Sequence, residues 1–182
     1  AGWKDTDGDG FVDKDGKNLE LNFTFYSGRA ELPLFAEAVQ SDAKKVGIKV
    51  NLKNVDYNIL FDIGKKGEYD LLISNILTEQ AGDPEFFMNV YFRTNKDGNT
   101  PENASGYSNP EYDALSDQLA SEFDPAKRRD IIIKMEKIVQ DDAATLIFGY
   151  PQTNMVSNKS VQNANIYPCD YYWVTKEITP AK

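Results

Sequence analysis

Leu19-Glu20-Leu21-Asn22-Phe23-Thr24-Phe25-Tyr26 decides the fold class, because Leu19, Leu21, Phe23 and Phe25 alternate with Glu20, Asn22, Thr24 and Tyr26. A side-chain period of two is that of a strand with one face buried. After the break at Ser27-Gly28, Pro33 suits a first helical turn, and Phe35, Ala38, Val39 and Val46 fall on one helical face before Gly47. The spacing predicts a helix over 33–46 with a glycine end. Ile48, Val50 and Leu52 then alternate with Lys49, Asn51 and Lys53. Strand, helix and strand make a βαβ unit whose strands lie parallel.

Downstream, Ile59, Leu60 and Ile63 predict a short helix ending at Gly64 or Gly67, and Tyr69-Asp70-Leu71-Leu72-Ile73 reads as a strand buried on both faces. Asn109-Pro110 and Asp124-Pro125 each pair a capping side chain with a proline at the first helical position. The helices they open carry Tyr112, Leu115 and Leu119, then Ile131, Ile132, Met135, Ile138 and Val139, at core-facing spacing. Residues 145–150 read as a further strand, and the tail from Asn154 is polar and turn-rich. The expected architecture is an α/β lobe, a mixed β-sheet flanked by helices.

Composition narrows the function. The 182 residues suit one domain or one large lobe, and the net charge of −9 would repel a phosphate backbone or an anionic membrane. No apolar run approaches the roughly 20 residues of a membrane helix, and the start at Ala1-Gly2-Trp3 has no signal-peptide pattern. The single Cys169 has no partner for an intrachain disulfide, and the chain has no histidine, the commonest general base at neutral pH.

Asp5-Thr6-Asp7-Gly8-Asp9-Gly10-Phe11-Val12-Asp13 sets carboxylates at alternate positions, with glycines permitting a tight loop. Hard oxygen ligands at that spacing suit Ca²⁺, with Asp5, Asp7, Asp9 and Asp13 offering side chains and Phe11 its carbonyl. The phase matches nine positions of an EF-hand loop and then departs from it, since Gly16 stands where the closing glutamate belongs. A solvated Asp-Gly turn ahead of the first strand is the equal alternative.

Gly106-Tyr107-Ser108-Asn109-Pro110-Glu111-Tyr112-Asp113-Ala114-Leu115, then Asp124-Pro125-Ala126-Lys127-Arg128-Arg129, then Glu136-Lys137-Ile138-Val139-Gln140-Asp141-Asp142-Ala143 resemble the C-terminal lobe of the family 5 extracellular solute-binding proteins, the dipeptide, oligopeptide and nickel receptors of ABC importers. Ala1-Gly2-Trp3, Gly47-Ile48-Lys49-Val50 and Gly67-Glu68-Tyr69-Asp70 extend that resemblance over nearly the whole chain. It implies a type II periplasmic-binding-protein-like fold, with residues 1–182 forming one lobe, 1–18 an acidic loop segment, and the N-terminal lobe lying outside this sequence. It further implies an extracellular or periplasmic monomer, joined to the membrane only through that other part as in a lipoprotein. The receptor would close on a peptide or small polar solute and deliver it to a permease, without catalysis.

The resemblance also places the ligand. In the family, the turn after the strand at 69–75 faces the cleft and carries a tryptophan, an acidic residue that meets a peptide amine, and an Asp-Pro or Glu-Pro step. Here Asp83-Pro84 matches that step, while Leu77 stands at the tryptophan position and Gln80 at the acidic one, with Glu79 adjacent. Asn75, Thr78, Glu79, Gln80 and Asp83 are therefore the ligand-binding candidates. Relatives that hold nickel chelates use an aromatic residue where this chain has Gly82, and a histidine beyond it. Two readings from other classes stand beside the receptor: a calcium-stabilised surface interaction module, and a hydrolase using Glu79 and Asp83 as a carboxylate pair.

Overall fold

The computed structural model describes residues 1–76, 83–96, 103–152, 154–167 and 174–181. These fall into two compact units, Ala1–Leu146 and Ile147–Lys182.

The first unit opens with a hairpin of β1 (Asp13–Lys14) and β2 (Lys17–Asn18), paired antiparallel with Asp13 opposite Asn18. Its two turn residues, Asp15 and Gly16, both take positive φ (53° and 72°), as a tight right-twisting hairpin requires. Gly16, at the position of an EF-hand's closing ligand, is thus a turn residue.

β3 (Glu20–Phe25), α1 (Glu31–Lys45) and β4 (Lys49–Asn54) form the expected parallel βαβ unit, in a register that sets Leu21 beside Val50 and Phe23 beside Leu52. α1 begins two residues earlier than Pro33, and the face it buries is Leu32 and Ala36, flanked by Phe35 and Val39. Ala38 and Val46, predicted on that face, are exposed. Ala38 lies two residues from Ala36, about 200° around a 3.6-residue helix, and Val46 lies just past the last helical turn. Gly47, with φ 76°, turns the chain into β4.

α2 (Tyr57–Lys66) starts on the Asp56 carboxylate, which accepts the Asn58 amide, and ends at Gly67 in the left-handed conformation. Its buried side chains are Leu60 and Ile63, while Ile59 stays half-exposed. β5 (Leu71–Leu72) then pairs parallel with β3 on the side opposite β4, giving the order β4-β3-β5. The run at 69–73 does not form a strand buried on both faces. β5 is a two-residue edge strand: Asp70 just before it stays tied to β3, its main-chain N–H donating to the Asn22 carbonyl (3.3 Å) and its side chain accepting the Asn22 amide (2.7 Å), while the Tyr69 hydroxyl donates to the Ala104 carbonyl (2.8 Å). All pairing in this sheet is parallel; the antiparallel pairing lies in two small ladders outside it. Phe23, Phe25, Leu32, Ala36, Val50 and Leu60 bury its core.

Three helices make a second core in the same unit: α3 (Glu85–Phe92), α4 (Pro110–Leu119) and α5 (Pro125–Asp141). Asn109 and Asp124 cap α4 and α5 through their side chains, as the Asn-Pro and Asp-Pro pairs predict. Met88, Tyr112, Leu119, Ile131, Met135 and Val139 close together, and the Tyr112 hydroxyl donates to the Met88 carbonyl at 2.8 Å. Where α2 meets the loop before α4, Gly64 sits so near Ala104 that an added β-carbon would lie 2.6 Å from that of Ala104.

In the second unit, β6 (Val161–Gln162) pairs antiparallel with β7 (Thr179–Pro180). The strand expected at 145–150 is absent. That segment has no ladder partner among the described residues, and Leu146, Ile147 and Tyr150 are 73%, 59% and 79% exposed. An apolar run makes a stable strand only where a neighbour takes its backbone hydrogen bonds.

Candidate functional site

The order β4-β3-β5 creates a topological switch. From β3 the chain crosses by α1 to one side, and from β4 it returns by α2 to the other. The loops leaving the carboxyl ends of β3 and β5 therefore diverge, and in open parallel sheets ligands bind in the crevice so formed. Tyr26, Ser27, Gly28 and Arg29 lie in the loop after β3, and Ile73, Ser74 and Asn75 follow β5. Across the divergence the Asn75 side-chain amide donates to the Glu31 carboxylate at 3.0 Å, in a part-buried bond.

Aromatic side chains border the same end. Tyr26, buried in the core, packs on Tyr57 with ring centroids 5.0 Å apart, and Tyr57 meets Phe61 edge-on at 5.9 Å. Tyr57 remains 50% exposed at the start of α2, past the carboxyl end of β4, with a large apolar face and a polar tip. Arg29 is exposed in the β3–α1 loop. These groups suit a small polar solute: a cation for an acidic group, amide and carboxylate hydrogen-bonding partners, and aromatic faces for apolar parts.

Of the five ligand candidates, Asn75 and Asp83 are described, while Thr78, Glu79 and Gln80 lie outside the described residues, as do Leu77, Gly82 and Cys169. Asp83 uses both oxygens internally: Oδ1 accepts the Glu85 amide at the start of α3 (2.9 Å), and Oδ2 pairs with Arg128 at 2.8 Å. Arg128 also meets the Glu85 carboxylate at 2.7 Å and donates to the Leu119 and Glu122 carbonyls at 2.9 and 2.8 Å. Pairing with Glu85, and then with Asp83, raises the pKa of the guanidinium above its already high value. An open groove of about 530 Å³ borders this corner, lined by Asp83, Pro84, Pro125, Arg128, Ile132 and Glu136. Asp83 thus holds the first amide of α3 from the residue before its N-cap, Pro84, and enters an ion pair that the sequence reading missed. Lys127-Arg128-Arg129 stood out as a motif, but nothing local says which of its cations turns inward.

In the acidic loop, Asp5, Asp7 and Asp13 each bring a carboxylate oxygen within 4.8 Å of the others. Asp9 is outside that group: it accepts the Phe11 amide at 2.8 Å and the Asn18 amide at 2.9 Å, and those two bonds lower its pKa. The loop is otherwise held by its own backbone. Asp5 accepts the amides of Gly8 and Gly10, while buried Asp13 accepts the Thr6 amide and hydroxyl.

A parallel sheet with a switch-point crevice, helices on both sides and a helical subdomain carrying the second core defines a lobe of the type II periplasmic-binding-protein class. The comparisons agree. Residues 1–99 match the model of the bacterial extracellular solute-binding proteins, family 5 Middle, and the chain belongs to that family. It is 33% identical over 146 residues to a probable D,D-dipeptide-binding periplasmic protein, DdpA, of Escherichia coli, covering 80% of this chain and 28% of the relative. Among solved structures it is similar to the nickel-binding NikA of Staphylococcus aureus in complex with Ni(L-His)2, with 26% identity, TM-score 0.69, and coverage of 90% of this chain and 34% of that one. A periplasmic oligopeptide-binding protein of an oligopeptide ABC transporter from Thermotoga maritima, with mannohexaose bound, gives 28% identity and TM-score 0.69, covering 79% and 27%. The chain thus spans about a third of the length of these relatives. No helix among the described residues is long and apolar enough to cross a membrane.

Proposed function

We propose that these residues form the C-terminal lobe of the substrate-binding component of an ABC importer, which captures a peptide or similarly sized polar solute between two lobes and presents it to a permease. The observation that carries this reading is the crevice between the carboxyl ends of β3 and β5, bridged by Asn75 and Glu31 and bordered by Arg29 and Tyr57. Arg29 meets an acidic group of the solute, the Asn75–Glu31 pair its donors and acceptors, and Thr78, Glu79 and Gln80 complete this side of the site. No bond is made or broken; affinity comes from burying the solute when the lobes close. The protein works outside the cytoplasmic membrane as a monomer, anchored as a lipoprotein through the part that lies beyond this sequence. Isothermal titration of the full-length protein with di- to nonapeptides, oligosaccharides and nickel chelates tests the reading; heat of binding from none of them would sink it.

A metal chelate is the second reading, favoured by the likeness to the Staphylococcus aureus protein. With no histidine in these 182 residues, this lobe would hold the organic part of such a chelate rather than ligate its metal. Separately, we propose that the acidic loop takes a structural Ca²⁺ through Asp5, Asp7 and Asp13, whose three hard oxygens converge while each carboxylate keeps a lone pair free beyond its backbone bonds. A calcium-dependent interaction module would draw on the same three residues.

A further inference from the structure

Three Asp-Gly steps lie among the described residues: Asp7-Gly8, Asp9-Gly10 and Asp15-Gly16. All are exposed, and a β-carbon added to any of the three glycines would meet nothing within 4 Å, so access does not distinguish them. Hydrogen bonding does. In the first two steps the glycine amides donate to the Asp5 carboxylate, Gly8 at 2.7 Å and Gly10 at 3.1 Å. Their aspartates are engaged as well, Asp7 by the Asp9 amide at 3.1 Å, and Asp9 by the Phe11 amide at 2.8 Å and the Asn18 side chain at 2.9 Å. In the third step, neither the Gly16 amide nor the Asp15 carboxylate has a bonding partner among the described residues. Asp15 and Gly16 are also the whole connection of the β1–β2 hairpin, with φ 53° and 72°. The left-handed region crowds the β-carbon of Asp15, and a ladder of only two residue pairs holds it there, so this turn opens more readily than a core strand.

From this contrast we infer that Asp15-Gly16 is a self-modification site, at which the chain converts aspartate to its β-linked isomer. The Gly16 amide nitrogen attacks the side-chain carboxyl carbon of Asp15, forming a C–N bond while the nitrogen loses its proton and a carboxyl oxygen leaves as water. Water then opens the five-membered imide at either carbonyl, restoring aspartate or leaving the main chain to run through the side-chain carboxyl carbon. Glycine favours the attack because no β-carbon shields its nitrogen. Asp7 and Asp9 are spared, because the nitrogens that would attack them are held by Asp5. The β-linked product adds one main-chain carbon to a two-residue connection, so Lys14 no longer faces Lys17. Asp13, next to Lys14 in β1, then loosens its hold on the Thr6 amide, which it accepts at 2.7 Å. The modification therefore slackens the acidic loop.

The test holds the full-length protein for weeks at neutral pH and body temperature in ¹⁸O-labelled water, followed by chymotryptic digestion and mass mapping. Each ring opening leaves one ¹⁸O in the chain. Label is expected to be severalfold higher in the peptide of residues 12–19, which carries Asp15, than in that of residues 4–11, which carries Asp7 and Asp9. An isoaspartyl methyltransferase should methylate the first peptide only. Asp15→Glu, whose extra methylene disfavours ring closure, should abolish both signals. Equal label in the two peptides, or none in either, overturns the inference. Label that persists in Asp15→Glu assigns the chemistry to Asp13 and overturns it too. In the modified fraction the Thr6 amide should exchange severalfold faster than in fresh protein, and an unchanged rate would overturn the link to the acidic loop.

Discussion

The side-chain amide of Asn75 donates to the Glu31 carboxylate at 3.0 Å, joining residues 44 apart in sequence across the point where the loops after β3 and β5 separate. Both side chains are polar, only partly buried, and sited where the fold places ligands rather than core. The bond aligns a donor-acceptor pair along the crevice. Asn75→Ala in the full-length protein is expected to cost only about 1 kcal/mol of stability, as for one hydrogen bond, yet to weaken solute binding about tenfold. Titration and urea unfolding on the same samples separate the two effects; a fall in stability with unaltered affinity would make the pair structural.

Gly64→Ala sets two effects against each other. Alanine is favoured over glycine within a helix by about 1 kcal/mol, but the added methyl would lie 2.6 Å from the Ala104 β-carbon, far inside contact distance. Overpacking costs about 1–3 kcal/mol, so the clash wins and the variant should unfold at lower urea. Gly64→Ala combined with Ala104→Gly should recover most of the loss. A more stable single variant would show that α2 and the 103–106 loop do not pack this closely.

Much of this was legible from local pattern. Alternation at 19–26, the Asn-Pro and Asp-Pro starts of α4 and α5, and the glycine end of α2 are short-range signals that the fold simply obeys. The misreadings depend on long-range partners. Residues 145–150 are apolar like a strand yet have no neighbouring strand among the described residues, and the run at 69–73 pairs with β3 only over Leu71–Leu72, at one edge of the sheet. The site behaved likewise: the family resemblance pointed to Asn75 and Asp83, but Glu31 and Arg128, their partners 44 and 45 residues away, became visible only once the chain was folded.

Tyr107 and Asp142 predict a pH dependence. Asp142 accepts the Tyr107 hydroxyl at 2.6 Å and the Asn109 amide at 2.8 Å, which in that order hold its carboxyl below 3.8. Because the folded chain favours the carboxylate, this contribution is complete above the unfolded value and fades as pH falls through the lower folded one. Burial, and then the bond to Asp142, push the Tyr107 phenol up to about 12, so its contribution holds below an unfolded value of about 10 and is lost as pH rises through 12. Tyr107→Phe should cost about 1 kcal/mol at neutral pH, with the deficit narrowing once acid protonates Asp142. Urea midpoints that differ equally at neutral pH and below about pH 3 would contradict it.

The acidic loop yields a separate prediction. Calcium at about 1 mM, within the range of weak extracellular sites, should raise the melting temperature of the chain, and EDTA should reverse the rise. Asp7→Asn, which removes one of the three converging carboxylates, should abolish the shift, whereas Asp9→Asn should leave most of it. Equal loss in both variants would mean that the ion, if held, uses the whole loop.

Equilibrium binding decides the central claim. The full-length protein and the 182-residue chain should be titrated against the same peptides, oligosaccharides and nickel chelates. Saturable one-to-one binding is expected for the full-length protein with at least one solute class, weakened by Arg29→Ala, and at least a hundredfold weaker, about 3 kcal/mol, for the 182 residues alone. Equally tight binding by the isolated chain would contradict capture between two lobes, and binding indifferent to Arg29 and Asn75 would contradict the crevice assigned to it.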